Sequence, residues 1–347
     1  MGLVVWLTEI AIAAGLALSA CIAWSIGAND MANSTSIAVG SGVLRIKTAI
    51  LIFAIMLTLG AVLQGFMVMK TLGRGVVSDM DIYCAISSSL AAFTWIMVAT
   101  ALGLPISTSH SITSAVVGAA LGRLLLGRGG TINLHVFNTI VLSWITSPLA
   151  AAALAIPSYL VLEKLFKKRS SRGDGVARSV IIALTAFSAY SFGANDVANA
   201  TGVYVGAISK YFGTPDLYTM RLLSLFSSVI IALGGIVMGR KVLVTLAYRI
   251  TRLDILTAIA AGVANAFTVW FFTTIPYLLF GYGLPISTTY AAAGAIMGAS
   301  IAKNRGFRGV RIRQVAIIVI AWMLTLPIAA ALGLSIYYLL NYLSLRL

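Results

Sequence analysis

The chain has 347 residues, of which 60% are hydrophobic and only 10% are charged, and its formal net charge is +15. A soluble domain is closer to half apolar and a quarter charged, so this composition excludes an ordinary soluble protein and predicts a membrane protein. The positive charge does not indicate nucleic-acid binding, because lysine and arginine gather in short loops between apolar segments and no basic stripe is interleaved with aromatic residues.

Apolar segments of membrane-spanning length recur along the whole chain, and they are predicted to be helices because the alternating pattern of a membrane barrel is missing. The first half is predicted to contain segments 8–26 running into 30–41, 48–69, 84–103, 105–126 and 135–162. The second half is predicted to contain 179–192 running into 196–208, 219–239, 254–280, 284–302 and 314–345. The N-terminus lacks a positively charged start and a clear cleavage site, so we expect the first segment to be retained.

Two motifs occur twice, in the same order. The heptad GANDMAN at 27–33 returns as GANDVAN at 193–199, and LPISTS at 104–109 returns as LPISTT at 284–289. An internal duplication explains both pairs.

The duplication predicts a first membrane repeat at 1–162, a basic cytoplasmic linker at 163–178 and a second membrane repeat at 179–347. About five segments in each repeat, an odd number, would turn the second copy upside down. An N-terminus outside the plasma membrane leaves seventeen of the 24 basic residues inside, as the positive-inside rule requires. The predicted fold is an all-α polytopic protein with two inverted repeats, whose broken helices or re-entrant hairpins meet near the midplane.

Asp30 and Asp196, in the two heptads, are the carboxylates that fall well inside membrane-length segments. A charged residue at the bilayer centre costs about 3 kcal/mol even on lenient scales, so such residues indicate a functional site. Helix capping is the structural alternative, but a serine or asparagine would cap without bringing an ionised group into the membrane.

The residues around the two aspartates suit a hard cation such as Na⁺. The Gly-Ala-Asn-Asp sequence predicts an unwound stretch whose carbonyls become free to coordinate, and Asn29 and Asn195 add amide oxygens. Asn33 and Asn199 lie three residues after each aspartate, on the same face of the following helix, and offer NH₂ donors.

The second motif suits an anion. Pro105 and Pro285 break the chain and favour the first turn of a new helix. Hydroxyl groups beside the free N–H groups of such a turn form an anion cradle, although serine and threonine also join membrane helices to one another. The hydroxyl residues are Ser107, Thr108, Ser109, Ser287, Thr288 and Thr289.

An oxyanion beside two carboxylates is repelled unless a bound cation or proton offsets their charge, which predicts symport. A carboxylate acceptor also favours an anion that carries its own O–H donor, as hydrogen phosphate does and sulfate does not.

These paired motifs resemble the inorganic phosphate transporter (PiT) family of cation-coupled symporters, over nearly the whole chain. The resemblance implies that phosphate and ions bind Asp30, Asn33, Asp196, Asn199 and the six hydroxyl residues, with Ala28, Asn29, Ala194 and Asn195 near the cations. It also implies a homodimer. Many relatives carry a glutamate three residues before a glycine in the second segment, where this chain has Leu57 before Gly60, so the ion stoichiometry stays open.

Three alternatives remain at this stage. A sulfate or other oxyanion permease would keep the fold, and a passive channel would not concentrate its substrate. An intramembrane hydrolase would use Ser107 or Ser109 with His110 and Asp30, but the position that matches His110 in the other repeat is Tyr290. We therefore expect no catalytic residues and no cofactor beyond a coupling ion, which is Na⁺ or H⁺.

Overall fold

A computed structural model of the chain describes residues 2–73, 77, 80–166, 174–213 and 215–344. Within these ranges the chain is almost entirely helical, and its only β-structure is an isolated antiparallel bridge between Val77 and Ile132. Seven of the described helices are long and apolar enough to cross a bilayer. The structure confirms the predicted all-α, multi-pass membrane protein.

The described helices form two matching series. The first comprises α1 (Gly2–Gly40), α2 (Ile46–Gln64), α3 (Phe66–Gly73), α4 (Ile82–Ala101), α5 (Thr108–Leu125) and α6 (Leu134–Phe166). The second comprises α7 (Asp174–Phe212), α8 (Leu217–Met238), α9 (Arg240–Val244) with a π-helical turn at Thr245–Arg249, α10 (Ile255–Phe280), α11 (Thr288–Asn304), and α12 (Ile312–Ser344) after a 3₁₀ turn at Phe307–Gly309.

The two series have the same order and similar lengths. Helices α1 and α7 have 39 residues each, and α6 and α12 have 33 each. With α3 and α9 counted as continuations of α2 and α8, each half has five segments. This odd number fits the predicted architecture of two inverted repeats.

Helices α4 and α5 form a helical hairpin, and so do α10 and α11. The carboxylate of Asp81, at the start of α4, lies 3.5 Å from Nε of Arg123 near the end of α5. The carboxylate of Asp254, at the start of α10, lies 2.7 Å from Nζ of Lys303 near the end of α11. Equivalent ion pairs therefore hold together the open ends of the two hairpins, and their proline-containing tips lie at the other end.

The two repeats interlock. Helix α2 packs on α7 and α8 packs on α1, which gives a first bundle of α1, α2, α7 and α8, here called the GAND bundle. Helix α5 packs on α12 and α11 packs on α6, which joins both hairpins to α6 and α12 in a second bundle, here called the hairpin bundle. Each bundle therefore contains helices from both repeats.

Continuous helices run through both GAND motifs, so the predicted unwinding at these motifs is wrong. Their glycines serve helix packing instead. A Cβ atom on Gly27 would overlap the backbone carbonyl of Ile231 in α8, and one on Gly193 would overlap the carbonyl of Leu57 in α2. Glycine is needed where two helix backbones approach this closely.

Both ends of the predicted linker at 163–178 are helical in the structure. Helix α6 continues to Phe166 and α7 begins at Asp174. Residues 167–173 lie outside the described residues.

Gly193→Ala is expected to lower the melting temperature of the detergent-solubilised protein, because the added methyl group would force α7 away from α2. Overpacking of this kind costs about 1–3 kcal/mol. Gly175→Ala is the matched control on the same helix, since a Cβ atom there meets no other atom within 4 Å. Equal melting temperatures for the two variants would contradict the packing role.

Candidate functional site

The candidate site begins where the chain is broken at the two hairpin tips. After Pro105 the next helix starts at Thr108, and the Ser107 side chain caps it by accepting the N–H of His110. After Pro285 the next helix starts at Thr288, and Ser287 accepts the N–H of Tyr290 in the same way. The structure confirms that each Leu-Pro-Ile motif leads into a helix N-terminus, where free N–H groups and hydroxyls lie together.

The asparagine of each GAND motif holds one tip in place. The Asn29 amide donates to Thr100 Oγ1 at 2.9 Å and to the Leu104 carbonyl at 3.1 Å, and its oxygen accepts the Ile106 N–H at 3.2 Å. These bonds satisfy backbone groups that the helix break would otherwise leave unpaired.

The second repeat contains the same three bonds. The Asn195 amide donates to Thr273 Oγ1 at 2.8 Å and to the Leu284 carbonyl at 2.9 Å, and its oxygen accepts the Ile286 N–H at 3.2 Å. Each asparagine oxygen thus keeps one lone pair for any further contact.

The two tips contact each other directly. The hydroxyl of Thr289 donates to the Ile106 carbonyl at 3.0 Å, and the hydroxyl of Ser109 donates to the Ile286 carbonyl at 3.4 Å. The hydroxyl residues of the two repeats, although 180 residues apart in the sequence, therefore lie in one place.

Asp30 lies within hydrogen-bond distance of hydroxyl groups from both repeats, although the single proton of Thr289 already serves the nearer Ile106 carbonyl. Thr108 Oγ1 lies 2.6 Å from Oδ2 of Asp30, and Thr289 Oγ1 lies 3.3 Å from Oδ1. The amide of Asn33, on the next turn of α1, donates to Thr288 and Thr289 at 3.2 and 3.0 Å. A carboxylate of the first repeat is thus joined to the helix N-terminus of the second.

Asp196 has fewer partners than Asp30. Its Oδ1 accepts the Asn199 amide at 3.1 Å, whereas its Oδ2 accepts no hydrogen bond from the described residues. The oxygen Oδ1 of Asn33 is also buried without a described partner. A buried acceptor left unsatisfied costs about 1–3 kcal/mol, so these two oxygens suit a cation or an O–H donor.

The structure brings all the predicted site residues into one buried region. Every one of them is at most 3% exposed. The two alanines of the predicted cation positions, Ala28 and Ala194, lie within continuous helix. Their carbonyls lie within the helical hydrogen-bond ladder and each keeps one lone pair, so their role as cation ligands stays a prediction.

Asn265 in α10 is a site residue that the sequence analysis missed. Its amide donates to the backbone carbonyl of Asn33 at 2.8 Å and to Ser188 Oγ at 2.9 Å, and its oxygen is buried without a described partner. The position that matches it in the first repeat is Ala92, so comparison of the repeats does not reveal it. Its signal is that it is the one amide side chain in α10.

An aromatic stack crosses the region where the two repeats meet. The ring of His110 stacks on Trp144 with a centroid separation of 3.5 Å and lies 4.7 Å from Tyr290, which stacks on Trp322 at 3.7 Å. Among the described residues no hydrogen bond joins the His110 ring to a serine or a carboxylate, and its Nδ1 is buried without a partner. The geometry therefore does not favour the hydrolase interpretation.

Comparison with known proteins gives the same family over both repeats. A sequence model of the phosphate transporter family matches residues 26–180 and again 167–333. A candidate phosphate permease of Chlamydia pneumoniae is 26% identical and one of Pyrococcus horikoshii is 28% identical, each over 92% of this chain and 95% of the relative.

A solved structure has the same fold. The sodium-dependent phosphate transporter aligns with a TM-score of 0.82 and 27% identity, over 96% of this chain and 99% of that one. The agreement of sequence and fold extends through both hairpins and both GAND motifs. The chain belongs to the phosphate transporter family.

Proposed function

We propose that the protein is a secondary active transporter that imports inorganic phosphate together with Na⁺ by alternating access. The observation that carries this proposal is the single buried site in which helix N-termini and hydroxyls from both repeats meet two carboxylates. Inverted repeats with a shared site between them are the usual architecture of such transporters. No catalytic step is assigned to any residue.

The phosphate would lie between the two hairpin tips. The hydroxyls at 107–109 and 287–289 and the N–H groups of the two helix starts supply donors for its oxygens. Asn33 and Asn199 would add amide donors from the GAND bundle. The carboxylates of Asp30 and Asp196 would accept the protonated oxygens of the phosphate, which an ion without an O–H group cannot offer.

The coupling ion would lie beside Asp30 and Asp196, with Asn29 and Asn195 next to them. Asp30 and Asp196 are both buried in this region, and a phosphate added beside two carboxylates would raise the electrostatic repulsion. A bound cation lowers that cost, so anion and cation bind together more readily than either binds alone. Hard oxygen ligands suit Na⁺, and the solved relative is described as sodium-dependent.

Alternating access would move the GAND bundle relative to the hairpin bundle. The acids belong to the first bundle and the hydroxyls to the second, so the site lies at the boundary between them. Within each bundle, helix backbones approach one another closely at glycines, for example at Gly118 of α5, which packs against the backbone of Ala330 in α12. The boundary at the site, in contrast, is joined by side-chain hydrogen bonds that can exchange.

The membrane orientation proposed here places the N-terminus outside the plasma membrane. Two of the loops assigned to the inside do contact each other, since Arg311 Nη1 donates to the Tyr248 carbonyl at 3.1 Å and the Arg311 N–H donates to Ile250. A homodimer belongs to the same proposal.

Asp30→Asn and Asp196→Asn are each expected to reduce phosphate uptake by at least about tenfold, because each removes a charge that receives donors or the coupling ion. Uptake of labelled phosphate into proteoliposomes measures the effect, and size-exclusion profiles check that the variants are intact. Asp216→Asn, at an exposed helix start where asparagine caps equally well, is the control. Wild-type rates in either site variant would contradict the assigned roles.

An inward Na⁺ gradient at constant pH is expected to drive concentrative phosphate uptake, whereas a pH gradient at constant Na⁺ is expected to have little effect. The two gradients are imposed separately on the same proteoliposomes. Uptake that follows only the pH gradient would replace Na⁺ by H⁺ as the coupling ion. Uptake that never exceeds equilibrium would indicate a channel, and uptake abolished by excess sulfate would indicate a broader oxyanion permease.

Asn265→Ala is expected to raise the KM for phosphate by about three- to tenfold, because loss of its hydrogen bond frees the turn of α1 that presents Asn33. Ser188→Ala is the matched control, since it removes only the other partner of Asn265 and keeps the contact with Asn33. Equal effects of the two substitutions on KM would show that Asn265 does not position Asn33.

A further inference from the structure

A recess far from the candidate transport site is lined by basic side chains. It lies between the loop that precedes α10 and the turn that joins α11 to α12, and its volume is about 370 Å³. Four cationic residues line it: Arg252, Lys303, Arg308 and Arg311. We call it the basic recess.

Most of the positive charge in the basic recess is not neutralised. Lys303 pairs with Asp254 at 2.7 Å. Among the described residues, no carboxylate forms an ion pair with Arg252, Arg308 or Arg311. The guanidinium group of Arg311 donates to the Tyr248 carbonyl, which does not neutralise its charge. Like charges on residues that line one cavity repel one another, and a bound anion would lower that cost.

The wall of the basic recess is fixed by hydrogen bonds. The hydroxyl of Thr251 lies 2.8 Å from the Gly309 carbonyl and 2.9 Å from Ser300 Oγ, and both hydroxyl residues are buried. The N–H of Arg311 donates to the Ile250 carbonyl at 3.0 Å. The arginines are thus carried by a prearranged frame, which lowers the entropy lost when a ligand binds.

The positive-inside rule explains why this face of the protein is basic, but it requires only charges in loops and no common cavity. Aligned on the hairpin ion pairs, the first repeat has Asp79 and Arg128 at the positions of Arg252 and Arg308 in the sequence, so the repeat does not by itself call for an arginine at both.

The geometry points to a phosphate group as the occupant: we propose that the basic recess is a second anion site, which binds the phosphate of an anionic lipid headgroup or free inorganic phosphate. The planar guanidinium group offers paired donors that match phosphate oxygens. Phe307 and Ile312 flank the recess and are 66% and 57% exposed, which suits contact with lipid. This site does not depend on the proposed transport function.

The full-length protein in phosphatidylcholine nanodiscs tests the proposal. Its melting temperature is measured against the fraction of phosphatidic acid in the disc and, separately, against inorganic phosphate. Arg252→Gln and Arg308→Gln each remove one exposed guanidinium group from the recess. Arg313→Gln removes an exposed arginine nearby that does not line it.

The melting temperatures of the wild-type protein and Arg313→Gln should rise at the same concentration of phosphatidic acid or inorganic phosphate. Arg252→Gln and Arg308→Gln should each need about a tenfold higher concentration for the same rise. A difference with phosphatidic acid identifies the headgroup as the occupant, and a difference with inorganic phosphate identifies the free ion. Because all variants retain the transport site, only the difference between variants reports on the recess. Recess variants that respond to both probes at the same concentrations as Arg313→Gln would overturn the proposal.

Discussion

The candidate site depends on two asparagine side chains that hold the broken ends of the helical hairpins. A helix break inside a membrane protein exposes N–H and C=O groups that lipid cannot satisfy. Asn29 and Asn195 each satisfy one such C=O and one such N–H, and each donates a further hydrogen bond to a threonine hydroxyl. These bonds hold the tips, which lead into Thr108 and Thr289, against the helices that carry the two aspartates.

The same two residues connect the bundles. Each asparagine belongs to the GAND bundle and contacts a tip of the hairpin bundle. In the first repeat the neighbouring Asp30 accepts the Thr108 hydroxyl of that hairpin. In each GAND motif, an asparagine that fixes a hairpin tip is therefore followed directly by an aspartate of the candidate site. This explains why a polar sequence as costly as Gly-Ala-Asn-Asp occurs in a membrane segment at all, and why it occurs once for each hairpin.

The sequence predicted most of this arrangement because each informative motif occurs in both repeats. The paired heptads, the paired Pro-Ile-Ser-Thr segments and the five segments of each half all occur in the structure. The error concerns the predicted unwinding at Gly-Ala-Asn-Asp: the helices are continuous there, and the carbonyls of Ile231 and Leu57 pack against Gly27 and Gly193. A sequence alone does not show whether a helical glycine marks a bend or a neighbouring backbone. Asn265 was missed for a related reason, since the opposite repeat has an alanine there.

The repeats have the same fold, but they do not provide equal halves of the site. Asp30 accepts the Thr108 hydroxyl and lies near that of Thr289, whereas Asp196 accepts one amide and keeps an oxygen without a described partner. The amide oxygen of Asn33 is a second buried acceptor without a described partner, but it is neutral. In a buried site the group with the larger unmet demand for a positive partner has the most to gain from one. A site formed by two similar halves therefore need not divide its donors equally, since Thr108 donates to Asp30 whereas one oxygen of Asp196 is left without a described hydrogen bond.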